Sequence, residues 1–251
     1  MNPRLLARDT DKACEERERP MTETFNYAGE GEEKWGPQAA FVRQDIVNVH
    51  RQTWKAIACA GSFWSDVDRL EIAKQARAAR SQRSDLPFNR SYPDSRLNRD
   101  TLETVRKVAA DAGKIDRLWA NKQIASIGDG PYAELVSIVA SVSAVDAFSE
   151  ALGRPRETLP SATGGSCSGV KSDNAADIGG YLPMVDPWEG PNVSRALSLV
   201  PAANELFMQN VSSMYVGRGG GFNDMVWDGP LSRPQAELLA ARVSSVNECF
   251  Y

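Results

Sequence analysis

The chain has 251 residues, of which 42% are apolar, and this composition suits one large or two small globular domains with a hydrophobic core. Its formal net charge of −4 and isoelectric point near 5.3 argue against a general nucleic-acid-binding or acidic-membrane-binding protein. The longest apolar run, residues 135–145, is shorter than the ~20 residues that cross a bilayer, so no membrane span is predicted.

The amino terminus and the cysteines favour a cytoplasmic protein. Residues 1–20 are charged and lack the apolar core of a secretion signal. Residues 1–40 as a whole are polar, rich in Glu and Gly, and are expected to form a flexible arm in which Met21 is an alternative start. The four cysteines are widely spaced, which fits reduced thiols better than a disulfide framework or a zinc site: Cys14, Cys59, Cys167 and Cys249.

From residue 41 onward, apolar residues recur at helical spacing and turn signals divide them into helices. A first helix is expected to end at Gly61-Ser62, and Ser65 opens a second one. After a loop over residues 85–100, further helices are predicted over 101–112, 115–127 and 131–152.

The second part of the chain has a different character. Residues 154–191 are rich in Gly, Ser, Pro and Asp and are expected to form a linker between domains. Helical spacing resumes from residue 192, is interrupted by a glycine-rich loop over 217–230, and returns over 231–245. The glycine-rich loop lacks a Gly-Lys-Ser/Thr ending and follows a helix, so it is interpreted as a connector instead of a phosphate-binding loop. No alternating strand pattern is present, and the predicted fold is all-α.

The last helix carries the candidate chemistry. Ser232 can cap it and Pro234 lies in its first turn. Glu237 and Cys249 are separated by 12 residues, a spacing that does not place both on one stripe of a straight helix. If the two side chains meet, the helix must end between them, within residues 244–247. Asn247 is then a candidate cap for a new helix whose positive dipole end would favour the Cys249 thiolate.

The segment LSRPQAELLAARVSSVNECFY, residues 231–251, resembles the active-site segment of alkylhydroperoxidase D-like members of the carboxymuconolactone decarboxylase superfamily. That segment reads Leu-Ser/Thr, a few residues, Glu, a helix, then Asn-x-Cys-x-x-Cys-x-x-x-His. By this resemblance Glu237 matches the glutamate of a Glu–His proton relay and Cys249 matches the first, usually resolving, cysteine. The peroxidatic cysteine is expected directly after Tyr251 and the histidine four residues beyond it, so the chain is expected to stop inside the motif.

The same template fits the first half of the chain. In WSDVDRLEIAKQARAARSQRSD, Glu71 stands where Glu237 stands, Arg83 stands in place of Cys249, and Leu86 occupies the position of the second cysteine. The resemblance therefore implies a complete helical copy without the cysteine pair over 41–153. This copy is followed by the linker 154–191 and by the first half of a second, cysteine-bearing copy over 192–251.

The resemblance implies a thiol-dependent peroxidase of the alkylhydroperoxidase type in the intact protein. Its partners would be a peroxide substrate, a dithiol reductant or a lipoyl- or thioredoxin-like protein, and further copies of the chain in a homo-oligomer. No cofactor, metal, nucleic acid or membrane is implied. Two alternatives stay open: a catalytically silent helical oligomerisation module, and a decarboxylase-like enzyme that works without the cysteine pair.

Two further residues have side chains suited to proton transfer. His50 is the one histidine of the chain and lies in an early helix, far in sequence from Cys249, so it is a weak candidate base. Asp146 interrupts an apolar helix and is expected to be ion-paired or to face a subunit boundary.

Overall fold

The computed structural model describes residues 42–82, 94–215, 231–247 and 249. Within this part the architecture is helical, which confirms the all-α prediction at the level of fold class. The helices are α1 Gln44–Ala58, α2 Asp66–Ser81, α3 Arg99–Ala110, α4 Arg117–Ile127, α5 Asp129–Ala151, α6 Pro201–Met214 and α7 Arg233–Val246. Two 3₁₀ turns, Ala112–Lys114 and Asn192–Arg195, and a two-residue antiparallel pair of strands, β1 Ala175–Ala176 and β2 Met184–Val185, complete the regular structure of these residues.

Local signals at the helix ends account for the close match of α2–α5 and α7 to the predicted helices, whereas α6 begins at Pro201 and not at residue 192, where helical spacing resumes. The Ser65 hydroxyl accepts a hydrogen bond from the backbone N–H of Asp68 (3.2 Å) and begins α2 where the sequence predicts a start. Asn98 caps α3 in the same way, so that helix begins two residues earlier than predicted. Gly128, with φ of 92°, ends α4 as expected, because a backbone in this left-handed region suits glycine.

Helix α5 lies at the centre of the fold, with a buried apolar cluster on each side. One cluster joins α5 to α1, α2 and α3, and includes Trp54, Ile72 and Val105. The other joins it to α6 and the residues before α6, and includes Tyr132 and Val200. Packing on both sides explains why α5 has apolar residues all around its axis.

By length and composition alone, α5 would also be able to cross a membrane. However, 67% of the relevant stretch is buried inside the protein. The helix also carries the buried acids Glu134 and Asp146, both of which are ion-paired with arginines of α2. These features describe the core helix of a helical bundle.

Residues 154–214 are held against the first five helices. The indole N–H of Trp54 donates to the Thr158 carbonyl (2.9 Å), and the side-chain amide of Asn210 in α6 donates to the Thr53 hydroxyl of α1 (2.8 Å). On α5, the Ser137 hydroxyl donates to the Ala203 carbonyl (2.6 Å). The predicted linker is therefore an irregular segment attached to the helices, whereas the division of the chain into two domain copies stays a prediction.

The cysteine prediction needs one correction. Cys59, at the end of α1, is disulfide-bonded, whereas Cys167 and Cys249 are free thiols. The expectation of uniformly reduced thiols is therefore wrong for Cys59, because distance along the sequence does not limit which sulfurs meet in the folded chain. Several other predicted features lie outside the described residues: the arm 1–40, Cys14, Arg83, Leu86, the loop 217–230 and Tyr251.

Candidate functional site

Helix α7 begins as its sequence predicts. The backbone N–H of Ser232 donates to the side-chain oxygen of Gln235 (2.8 Å), and the two residues form a capping box. Pro234 occupies the first turn, where its missing N–H costs no helical hydrogen bond. These local contacts fix where the candidate segment starts, and they place Glu237 in the second turn.

The same helix ends between Glu237 and Cys249. Asn247 is the C-terminal cap of α7, and its N–H donates to the Val243 carbonyl (3.0 Å). The N–H of Cys249 donates to the Ser244 carbonyl (2.9 Å), which ties the cysteine backbone to the last turn. The end within 244–247 is therefore confirmed. Of the new helix predicted after Asn247, only Cys249 is among the described residues, and it lies in no regular element.

Both predicted site residues are accessible to solvent. The Cys249 thiol is free and exposed, and the Glu237 side chain is 47% exposed with Arg233 as its ion-pair partner at 3.6 Å. Within the described residues the structure shows no hydrogen bond between Glu237 and Cys249. The two groups are thus on one helical segment and open to reagents, but they are not assembled into a contacting pair.

The rest of α7 is also exposed. No residue of this helix is buried, and four large apolar side chains point to solvent: Leu238, Leu239, Val243 and Val246. Leu239, Val243 and Val246 follow the i, i+4, i+7 spacing of one helix face. Helix α7 therefore presents an apolar stripe to solvent beside the candidate site.

Glu71, which the resemblance to the family matches with Glu237, has a different environment. Its carboxylate accepts hydrogen bonds from the Gln75 side-chain amide (2.8 Å) and the Ser95 hydroxyl (2.8 Å), and Lys74 lies 3.6 Å away. Burial alone would raise the pKa of Glu71, but these hydrogen bonds and the lysine charge outweigh burial and lower it. Glu71 is thus an ionised acid that links α2 to the residues before α3.

The structure shows one buried ion pair that the sequence analysis missed. Arg69 of α2 is hydrogen-bonded to Glu134 of α5, and the other oxygen of Glu134 accepts the backbone N–H of Phe63 (2.6 Å). Arg69 also donates to the carbonyl of Ala56 (3.1 Å). A side chain on Gly61 would overlap with both charged groups. In the sequence, Glu134 stands out as an acid inside an apolar helix, but no pattern identifies Arg69 as its partner.

Asp146 is ion-paired, as predicted. Its two oxygens accept hydrogen bonds from Nε (2.8 Å) and Nη2 (2.6 Å) of Arg77, and its side chain is 1% exposed. The Arg77 guanidinium also lies over the ring of Trp54, with 5.4 Å to the centroid. Asp146 therefore links α5 to α2 in a geometry that satisfies its charge.

His50 is fully buried in α1, with its ring edge-on to Phe148 at 5.1 Å between centroids. Burial lowers the pKa of His50 to about 4, so the imidazole is neutral near pH 7. A buried imidazole packed in this way is a core residue of the helical bundle.

The second free thiol differs from Cys249 in its surroundings. Cys167 lies in the irregular segment after α5, and burial together with the nearby Glu134 carboxylate raises the pKa of its thiol, with Arg69 opposing in part. Among the described residues, no group of three or more His, Cys, Asp or Glu side chains is placed to hold a metal ion.

Comparison of the chain with known proteins found no matching family model, no matching curated protein and no matching solved structure.

Proposed function

We propose that the protein is a thiol-dependent peroxide reductase of the alkylhydroperoxidase type, with Cys249 and a cysteine directly after Tyr251 as its redox pair. The observation that carries the proposal is the segment from Ser232 to Cys249. It combines a capped helix, an acid in the second turn, a helix end at Asn247 and an exposed free thiol two residues later. This order of features supports the match to the Leu-Ser…Glu…Asn-x-Cys pattern.

In the proposed reaction, the thiolate of the cysteine after Tyr251 attacks the terminal oxygen of a peroxide. The O–O bond breaks, an alcohol or water leaves, and the cysteine becomes a sulfenic acid. The Cys249 thiol then attacks the sulfenic sulfur, and one water is released as the disulfide forms. A dithiol reductant supplies two electrons and two protons to restore both thiols. Glu237 takes part in moving the proton from the attacking thiol.

The accessibility of the segment supports this scheme. A resolving thiol must reach a sulfenic acid and later a protein or small-molecule dithiol, and an exposed sulfur on an unpacked helix end allows both contacts. The Glu237 side chain is 47% exposed, so its carboxylate is within reach of solvent.

The test measures peroxide consumption in the presence of a dithiol by the protein continued through the residues that follow Tyr251 in its gene. We expect Cys249→Ser to abolish dithiol-dependent turnover and Glu237→Gln to lower it by about 100-fold, the range of general acid–base catalysis. Cys167→Ser is the matched control, because Cys167 is also an exposed free thiol among the residues that the structure describes, and its loss should leave turnover unchanged. Unchanged turnover in Cys249→Ser would overturn the proposal, as would a residue other than cysteine after Tyr251.

A second candidate, a helical oligomerisation module without catalysis, is favoured by the apolar stripe of α7. A stripe of Leu239, Val243 and Val246 that faces solvent is suited to contact with another helix. If assembly is the function, Val243→Glu should dissociate the oligomer in sedimentation experiments, while Cys249→Ser should not change its mass. The opposite pattern, with loss of turnover in Cys249→Ser and no change of mass in Val243→Glu, favours the enzyme.

A further inference from the structure

A glycine-rich strap, residues 161–170, crosses the turn between α1 and α2. Three of its backbone N–H groups donate to backbone carbonyls of that turn: Thr163 to Ala58 (3.0 Å), Ser168 to Gly61 (3.2 Å) and Gly169 to Ser62 (2.7 Å). A fourth, that of Gly164, donates to the carboxylate of Asp66 in the first turn of α2 (2.6 Å). The strap is therefore bound through its main chain, with one charge-assisted hydrogen bond among its contacts.

The strap buries almost none of its own side chains. Every residue from 161 to 170 is exposed except Thr163, which is half-buried. Gly164, Gly165 and Gly169 have φ of 89°, 114° and 66°, and a side chain at Gly164 or Gly169 would meet nothing within 4 Å. Glycine is thus needed at these two positions for backbone conformation and not for close packing. A segment that is held mainly by backbone hydrogen bonds and buries no apolar side chain of its own is at the low end of local stability.

Both ends of the strap are anchored. Before it, the Thr158 carbonyl accepts from the buried indole of Trp54. After it, Lys171 pairs with Asp129 at the start of α5, and the N–H of Ser172 donates to the Leu199 carbonyl (2.8 Å). Detachment of the strap between these anchors breaks none of the apolar contacts of the two core clusters.

The turn beneath the strap contacts the buried Arg69–Glu134 pair. Gly61 accepts a hydrogen bond from the strap through its carbonyl, and its Cα is so close to Arg69 and Glu134 that a side chain would overlap with them. The turn also contributes the Phe63 N–H, which donates to Glu134. The strap, the turn and the ion pair therefore form a continuous series of contacts.

We propose that the strap is a releasable cover. It opens as one unit while α1, α2 and α5 stay folded, and its opening frees the Gly61 turn and admits water to the Arg69–Glu134 pair. Asp66 acts as the latch, because its carboxylate provides the charged acceptor that holds Gly164. The cover makes solvent access to a buried charged pair depend on a local opening and not on global unfolding.

The test is hydrogen exchange of the full chain, followed by mass spectrometry or NMR at increasing low denaturant concentrations. We expect the amides of the strap, together with those of Gly61 and Phe63, to exchange in one shared opening, well before the amides of α5. The variant Asp66→Ala should accelerate exchange of this group roughly tenfold, the effect of losing a hydrogen bond to a charged acceptor. Thr163→Val, which removes the hydroxyl that donates to the Ala58 carbonyl at the end of α1, should accelerate the same amides without altering α2.

Asp45→Ala is the matched control, because Asp45 is also a first-turn acid, in α1, but pairs with Arg43 and has no contact with the strap. It should leave exchange of the strap unchanged. The proposal is overturned if the strap amides exchange only with α5, if Asp66→Ala and Asp45→Ala act alike, or if the strap opens without faster exchange at Gly61 and Phe63.

Discussion

The Arg77–Asp146 pair allows a quantitative test of how a buried charge stabilises this fold. Asp146→Asn keeps the shape of the side chain but removes its charge, and it leaves the Arg77 guanidinium facing a neutral amide. Removal of one partner from a buried pair costs about 3–5 kcal/mol, because the remaining charge loses its compensation. The Arg77 side chain is 16% exposed and also contacts Trp54, so a cost near the lower limit, about 3 kcal/mol, is expected.

Asp45→Asn provides the matched comparison. It changes the same residue type beside the same partner type, but the side chains of Arg43 and Asp45 are 33% and 61% exposed. Exposed pairs of this kind contribute about 0–1 kcal/mol, since water screens both charges. The difference between the two variants therefore isolates the effect of burial.

Urea unfolding followed by circular dichroism gives the free energy of unfolding of each variant. Asp146→Asn should lower the midpoint with an unchanged slope, which is the signature of a change in stability alone. The double variant Arg77→Met with Asp146→Leu should recover much of the loss, because an apolar pair needs no compensating charge. A stabilising effect of the buried charge pair is refuted if Asp146→Asn costs no more than Asp45→Asn, or if the double variant is as unstable as the single one.

Three further predictions concern other parts of the molecule. Gly61→Ala should destabilise the fold by about 3 kcal/mol, because its methyl group would overlap with Arg69 and Glu134; a cost under about 1 kcal/mol in urea unfolding would contradict this. His50 is the one histidine, so its NMR resonances should not titrate between pH 8 and 5, and a midpoint near 6.5 would contradict its burial. Its folded pKa of about 4 lies below the unfolded value of 6.5, so its contribution to stability, up to ~3 kcal/mol, is present above pH 6.5 and is lost as the pH falls towards 4. Ser232→Ala should cost α7 about 1 kcal/mol of local stability, measured as faster amide exchange in this helix. The midpoint of global unfolding should not move, since α7 buries no residue. A shifted midpoint would show that α7 belongs to the cooperative core.

The sequence predicted the helices well because their ends depend on neighbours in the chain. Ser65 and Gly128 act through residues within one turn, and such contacts are visible as short patterns. The end of α7 near Asn247 could be predicted for the same reason. An ion pair at Asp146 could be predicted, because a charge on an apolar helix needs a partner. The pattern did not identify Arg77 as that partner.

What the sequence did not predict depends on contacts between distant residues. Arg69 and Glu134 are 65 positions apart, and helical periodicity gives no information on which arginine of α2 faces which acid of α5. The strap was interpreted as part of a linker because its contacts are made by backbone groups, and every residue but proline carries the same backbone donor. The disulfide at Cys59 is another contact that the sequence did not predict, since the spacing of cysteines in a sequence does not determine their distance in the folded chain.

The part of the described chain from α1 to α6 and the segment that begins with α7 differ in whether their acidic and reactive side chains are buried. From α1 to α6, acids such as Glu134 and Asp146 are buried and ion-paired with arginines, so a change in either one is expected to alter stability first. Glu237 on α7 and the Cys249 thiol just after it are exposed, and α7 has no buried residue to lose. Substitutions at Glu237 and Cys249 should therefore change reactivity at constant stability. This separation makes the proposed thiol chemistry testable, because a loss of turnover in these variants cannot be ascribed to unfolding of the helical core.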